Sequence, residues 1–337
     1  MKILRFDSFI NEEEQEEKWW KKYAKYQLSK YPVNIPEEDV KVDLTGDIDS
    51  HPVLTWTSPT TGKKVYSYTK KRIETQQADK YARIEKLSQG QVEKMKVFCH
   101  NVITGEETDK KKQAAAVVSI IAQTGLRPGS KKGFEETQNR GVTTLSVSNI
   151  HIDGSVVKLD FVGKSYKKNV AEFEDGVVAN YLATHIKNMD SHEFVFNISR
   201  DDLEAFMRVV PKMDRFKVKD LRTHIANRIA LDFLEKDPTP PPPVPDNSED
   251  IKKAVKRKLK LAFDYVSKKL NNSPAMAKGS YVDPSVINKW LHKLGITQTA
   301  GAIAEDEGKE EFKVIGNAPV YELPEWWNNE DIELKKR

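Results

Sequence analysis

The chain is poor in cysteine. Cys99 is the only one in 337 residues, which excludes an intramolecular disulfide and any multi-cysteine zinc site and fits a reducing compartment. No apolar run approaches the roughly 20 residues that cross a bilayer, so no membrane association is expected. Met1–Phe6 leads into the acidic stretch Glu12–Glu17, with no apolar h-region and no small-residue cleavage site, so an intracellular location is expected. Clusters of Asp, Glu and His at the spacing of a two-metal site are also lacking. Neither a metal nor a cofactor is expected.

What is abundant is charge. Hydrophobic residues make up 38% and charged residues 31%, the composition of a soluble protein, and the length suits about two domains. The net charge of +4 hides an asymmetry, because residues 305–337 hold ten Asp/Glu against five Lys/Arg. That segment carries −5, which leaves +9 on residues 1–304. A basic body suits a polyanionic ligand, since clustered Lys and Arg displace counterions from phosphates. Ordinary solubility charge accounts for the composition equally well, so the motifs decide.

Residues 1–40 read as a charged extension to which no role is assigned. In residues 41–87, Leu54–Thr57 and Val65–Tyr68 flank a Pro59–Gly62 turn, the pattern of a β-hairpin. A small β-rich domain is expected there, with a boundary near residue 87. Residues 88–298 form the second domain. Its Gln113–Gln123 stretch is nearly all Ala, Val and Ile, a buried helix ended by Gly125, which puts Arg127 on the loop that follows. Thr144–Ile152, the turn Asp153-Gly154, Val156–Val162 and a third strand near Asn169–Phe173 predict a small antiparallel sheet, with Lys164 at a hairpin tip. Helical spacing then dominates. The proline run within 237–247 reads as an extended linker. Beyond it comes an amphipathic helix with eight Lys/Arg and one Asp between 251 and 270. Ser273-Pro274 and Asp283-Pro284 each read as an N-cap followed by proline at N1, with Tyr281 between them. Residues 299–337 are an acidic tail.

Singly, each candidate residue has a bland reading: a solvated loop arginine for Arg127, a structural ion pair for Arg222, a surface lysine for Lys164, a half-buried packing residue for Tyr281. Their order is more specific. Arg127 lies in Thr124-Gly-Leu-Arg-Pro-Gly-Ser130, Lys164 in a β-turn, Arg222 in Lys219-Asp-Leu-Arg, and Tyr281 in Tyr-Val-Asp-Pro after a basic helix. This order resembles the catalytic set of the type IB DNA topoisomerases, especially the compact poxvirus and bacterial kind, over about residues 50–295.

The resemblance implies an α+β protein: a small β-rich N-terminal domain, and a mainly α catalytic domain carrying a three-stranded β-hairpin region, the tyrosine recombinase and type IB topoisomerase catalytic fold. It implies duplex DNA as the partner, clamped by a monomer, with no ATP or metal in the relaxation of supercoils. Tyr281 would be the nucleophile, forming a 3′-phosphotyrosyl ester. Arg127 and Arg222 would donate to the non-bridging oxygens, and Lys164 would protonate the leaving 5′ oxygen. The family's histidine, nine residues before the tyrosine, is Asn272 here. That amide can donate one hydrogen bond but carries no charge and no titratable proton, and a helix C-cap role weighs equally for it. Tyr66, Tyr68, Gln76, Gln77 and Lys219 are the expected DNA contacts. His224, in the same helix as Arg222, reads as packing or a local hydrogen bond. The rival is a tyrosine recombinase or integrase, which usually carries His-x-x-Arg where this chain has Lys219-Asp-Leu-Arg222 and a helical N-terminal bundle where this chain reads as β. A non-catalytic DNA-binding protein on the same fold would lack the tyrosine or an arginine, and neither is missing.

Overall fold

Strands β1 (Lys41–Val42), β2 (Leu54–Thr57) and β3 (Lys64–Ser67) pair antiparallel in that order, with Thr55 opposite Tyr66 and Trp56 opposite Val65. Alternation along β2 sends Leu54 and Trp56 into a small core with Val53, Ala24 and Ile35. The molecule is described by a computed structural model at residues 24, 28, 35, 36, 39–59, 62–236 and 248–296. The proline run of 237–247, the acidic tail of 299–337 and most of residues 1–40 lie outside the described residues.

Contacts divide the chain into Met1–Lys80 and Tyr81–Arg337. The division falls inside helix α1 (Lys70–Glu85), seven residues before the boundary near 87 read from sequence. Its physical cause is the last turn of α1, whose Arg83 forms an ion pair with Asp220 and whose Tyr81 hydroxyl donates to the Val282 carbonyl.

The second unit begins with α2 (Gln89–Thr104), started by a reciprocal capping box between Ser88 and Gln91. Helix α3 (Asp109–Thr124) is buried on every side from Gln113 to Ala122, because its small and branched side chains let neighbours close around it. Burying Ile120 and Ile121 contributes about 1.5–3 kcal/mol each. Gly125, with φ of 66°, ends α3 in the left-handed region. Then come α4 (Lys131–Thr137) and the sheet β4 (Ile150–Asp153), β5 (Val156–Gly163), β6 (Lys167–Glu174), antiparallel in chain order. Along β5, Val157, Leu159, Phe161 and Gly163 face inward.

The strand expected from Thr144 is shorter. Val142–Thr144 and Val147–Asn149 are single 3₁₀ turns. Asn149 Oδ1 accepts from the Ser146 amide at 3.0 Å, and such local side-chain bonds divert backbone from a ladder.

Helices α5 (Gly176–His185), α6 (Arg200–Val209), α7 (Val218–Lys236) and α8 (Ser248–Lys269) follow. A helical turn at Pro274–Met276, a π-helical turn at Ala277–Tyr281 and α9 (Pro284–Lys293) complete the described part. Two apolar clusters hold the unit together. One surrounds α3 and the sheet; the other joins α7, α8 and α9 through Ile225, Val266, Leu270 and Trp290. The α+β class, with a small sheet in the first unit and a mainly helical second unit carrying three strands, is the one expected from sequence. No described helix is long and apolar enough to cross a membrane.

Candidate active site

Arg127 sits two residues past the Gly125 cap, on a loop pinned by backbone. The Val142 amide donates to the Arg127 carbonyl at 2.9 Å and the Thr143 amide to the Pro128 carbonyl at 2.8 Å. Two glycines permit this approach: Gly129 has φ of 82°, and a Cβ on Gly141 would lie 2.5 Å from the Gly129 nitrogen.

Arg222 rises from the second turn of α7 and is only 4% exposed. The ion pair that is the usual fate of such an arginine is not what it makes. It donates to the Gly125 carbonyl, to the Leu270 carbonyl at 2.6 Å and to Asn272 Oδ1 at 3.1 Å. Its helix is anchored two residues earlier, where Asp220 accepts two hydrogen bonds from Arg83, at 2.7 and 3.1 Å.

Asn272 is placed by the end of α8. Asn271 takes φ of 50°, its amide donates to the Lys268 carbonyl at 3.3 Å, and the Asn272 amide donates to the Ser267 carbonyl at 2.8 Å. This is a Schellman ending with Asn271 in the left-handed position. The left-handed cap that sequence reasoning offered to Asn272 therefore belongs to its neighbour. Asn272 Oδ1 accepts from both Arg127, at 2.6 Å, and Arg222. Only the amide oxygen can meet two donors, so Nδ2 is left over, buried and without a hydrogen-bond partner, as is Nε of Arg222.

Tyr281 closes the group. It ends the π-helical turn, in which the Val282 amide reaches back five residues to the Ala277 carbonyl at 2.9 Å. Both sides are held: Val282 through Tyr81, and the Asp283 amide by Asn227 Oδ1 at 2.8 Å. Asp283 in turn caps α9 through the Ser285 amide at 2.8 Å. The Arg222 guanidinium lies 5.0 Å from the Tyr281 ring centre. Burial alone would push the Tyr281 phenol up, but the charges of Arg222 and Arg127 and their hydrogen bonds to it hold it below the ordinary phenol range. Burial and the nearby Arg127 charge bring Arg222 down to about 10, still protonated at neutral pH.

The fold thus brings Arg127, Arg222, Asn272 and Tyr281 together. Lys164 is exposed at the tip between β5 and β6 and makes no hydrogen bond to these four. The lysine that reaches the group is Lys167, whose Nζ donates to the Asn272 carbonyl at 3.3 Å. Nothing in the run Lys164-Ser-Tyr-Lys-Lys168 distinguishes one lysine from another by sequence. His224 hydrogen-bonds to Gln89 of α2, 135 residues away, at 3.2 Å, a bond between helices and not a local one. Lys219 is exposed in the first turn of α7. In the first unit Tyr66 is 52% exposed, Tyr68 is half-buried with the Arg72 guanidinium 5.0 Å from its ring centre, and Gln76 is exposed beside the half-buried Gln77.

Two guanidinium groups, two unpartnered buried donors and, among the described residues, no carboxylate bonded to either arginine make a cradle for an anion, and the Tyr281 phenol beside it has its pKa lowered. A site of this kind can hold a phosphate group beside a phenol. The catalytic core of eukaryotic DNA topoisomerase I matches residues 69–305, and the chain belongs to that family, an isomerase of the type IB topoisomerase class. DNA topoisomerase 1B of Acanthamoeba polyphaga mimivirus is 21% identical over 267 residues, which span 74% of this chain and 75% of the viral one. Among solved structures, the XerH site-specific recombinase bound to its difH substrate in a pre-cleavage complex is 12% identical, with a TM-score of 0.36. That match covers 60% of this chain and spans about half, 52%, of the recombinase chain.

Proposed function

We propose that this protein relaxes supercoiled duplex DNA by cutting and resealing one strand through Tyr281, as an intracellular monomer, without ATP or metal. The observation that carries the reading is the convergence of Arg127 and Arg222 on Asn272 and Tyr281 with no carboxylate among the described residues bonded to either arginine. A phosphodiester supplies the missing negative charge. Tyr281 Oη attacks phosphorus and its proton passes to solvent; the bond to the 5′ oxygen breaks, and that oxygen takes a proton from Lys164. The 3′-phosphotyrosyl ester conserves the bond energy, so the 5′ hydroxyl can reverse the step without a nucleotide. Arg127 and Arg222 strengthen their hold as charge builds in the five-coordinate transition state, and Asn272 Nδ2 adds a neutral donor. Tyr66, Tyr68, Gln76, Gln77 and Lys219 are assigned to DNA contact away from the chemistry.

The test is plasmid relaxation in EDTA without ATP. Loss of both positive and negative supercoils is expected, and a strict need for metal or nucleotide overturns the reading. DNA affinity should fall steeply with salt, as phosphate contacts require.

A further inference from the structure

The hairpin that carries Lys164 is fastened to the arginine pocket at its own base. Asn271 Nδ2 donates to the Lys168 carbonyl at 2.5 Å, and Lys167 Nζ donates back to the Asn272 carbonyl at 3.3 Å. On the other flank, Asn139 Oδ1 accepts from the Tyr166 amide at 3.4 Å, and the Arg140 amide donates to the Val162 carbonyl at 2.9 Å. The tip is unusual in its backbone: Ser165 and Tyr166 both lie in the left-handed region, at φ of 63° and 55°. Such a turn keeps one shape only where its surroundings hold it.

Asn271 stands where a Schellman ending most often has glycine. Glycine would serve the cap as well, so what asparagine adds is its amide, and that amide is bonded to the hairpin. One backbone turn therefore hands Asn271 to the hairpin and Asn272 to the two arginines.

We propose that Asn271 is a positioning residue that latches the Lys164 hairpin to the end of α8, so that the lysine and the arginine pair act on one phosphodiester. This rests on the proton-donor role given to Lys164 above. A misplacement of a catalytic group by about 1 Å costs on the order of a hundredfold in rate, so a single latch bond has that leverage.

The test uses the full chain with Asn271→Gly, which keeps the left-handed backbone accessible and deletes the amide. Two duplexes are compared, one natural and one with sulfur replacing the bridging 5′ oxygen at the cut. A thiol has a pKa near 8.5, so a thiolate leaves without a proton and the lysine's placement ceases to matter. Asn271→Gly is expected to slow cleavage of the natural duplex by about 10–100-fold, and to cleave the sulfur duplex at nearly the parent rate, which also shows that the variant folds. Lys164→Ala should follow the same pattern. Parent-like cleavage of both duplexes by Asn271→Gly, or equal loss on both, overturns the latch while leaving Lys164 its role. If sulfur fails to rescue Lys164→Ala, the proton-donor assignment falls and the latch falls with it.

Discussion

Asn272 Oδ1 lies 2.6 Å from the Arg127 guanidinium and accepts from it across 145 residues of sequence. The bond orients the arginine without neutralising it, which a carboxylate would do. Asn272→Ala should therefore slow covalent-adduct formation by about tenfold, the scale of one neutral hydrogen bond, and Asn272→His should be tolerated. Asn272→Asp should be worse than alanine, because a buried anion between two guanidinium groups takes the place meant for phosphate. Single-turnover cleavage of the three variants checks the ranking, and an aspartate variant faster than alanine would rule out an anion cradle.

The lowered pKa of Tyr281 fixes the direction of a pH effect. Attack needs the phenolate, so cleavage should rise with pH and level off below the ordinary phenol pKa of about 10. Arg222 and Arg127 cause the lowering against the opposing effect of burial. Removing one cation must move the phenol upward. Arg127→Ala should shift the rise to higher pH and cut the plateau by about 10²–10³-fold, the loss typical of one transition-state donor. A cleavage profile measured between pH 5 and 10 that keeps its midpoint in the variant would show that Arg127 does not govern the phenol.

How much of this was legible in the sequence depends on how local each feature is. The buried helix α3, its glycine stop and the Asp153-Gly154 hairpin follow from short-range pattern, and each stands within a few residues of its expected place. The order Arg127, Lys164, Arg222, Tyr281 was readable through family resemblance. The partners were not. Arg83 and Asp220 are 137 residues apart, and neither carries any sign of the other. The left-handed cap weighed for Asn272 falls instead on Asn271, because two adjacent asparagines suit it equally and only the backbone decides. The division inside α1 was hidden because helical periodicity runs on across it.

The Arg83–Asp220 pair offers a stability test. Asp220 is 1% exposed and Arg83 about a quarter exposed, so removing the arginine strands a buried carboxylate. Arg83→Met should cost about 3–5 kcal/mol in denaturant unfolding, and Arg83→Met with Asp220→Leu should recover much of it, because replacing both charges removes the stranded one. Additive losses in the two single variants would mean that the pair does not act as a unit.

The nucleophile itself is tested by removing one atom. Tyr281→Phe deletes only the phenolic oxygen, the atom proposed to become bonded to phosphorus. The ring packs against the apolar cluster that joins α7, α8 and α9, with Arg222 over its face, and phenylalanine fills that space, so DNA binding should stay nearly unchanged while cleavage is abolished. Tyr66 is the contrasting case: half-exposed in a different unit, its loss should weaken binding and leave the chemistry intact. Trapping the parent reaction with denaturant and digesting the protein should recover the 3′-phosphoryl adduct on the peptide that contains Ser280-Tyr281-Val282. An adduct on any other residue would remove Tyr281 from the reaction, and with it the reason for two arginines to converge there.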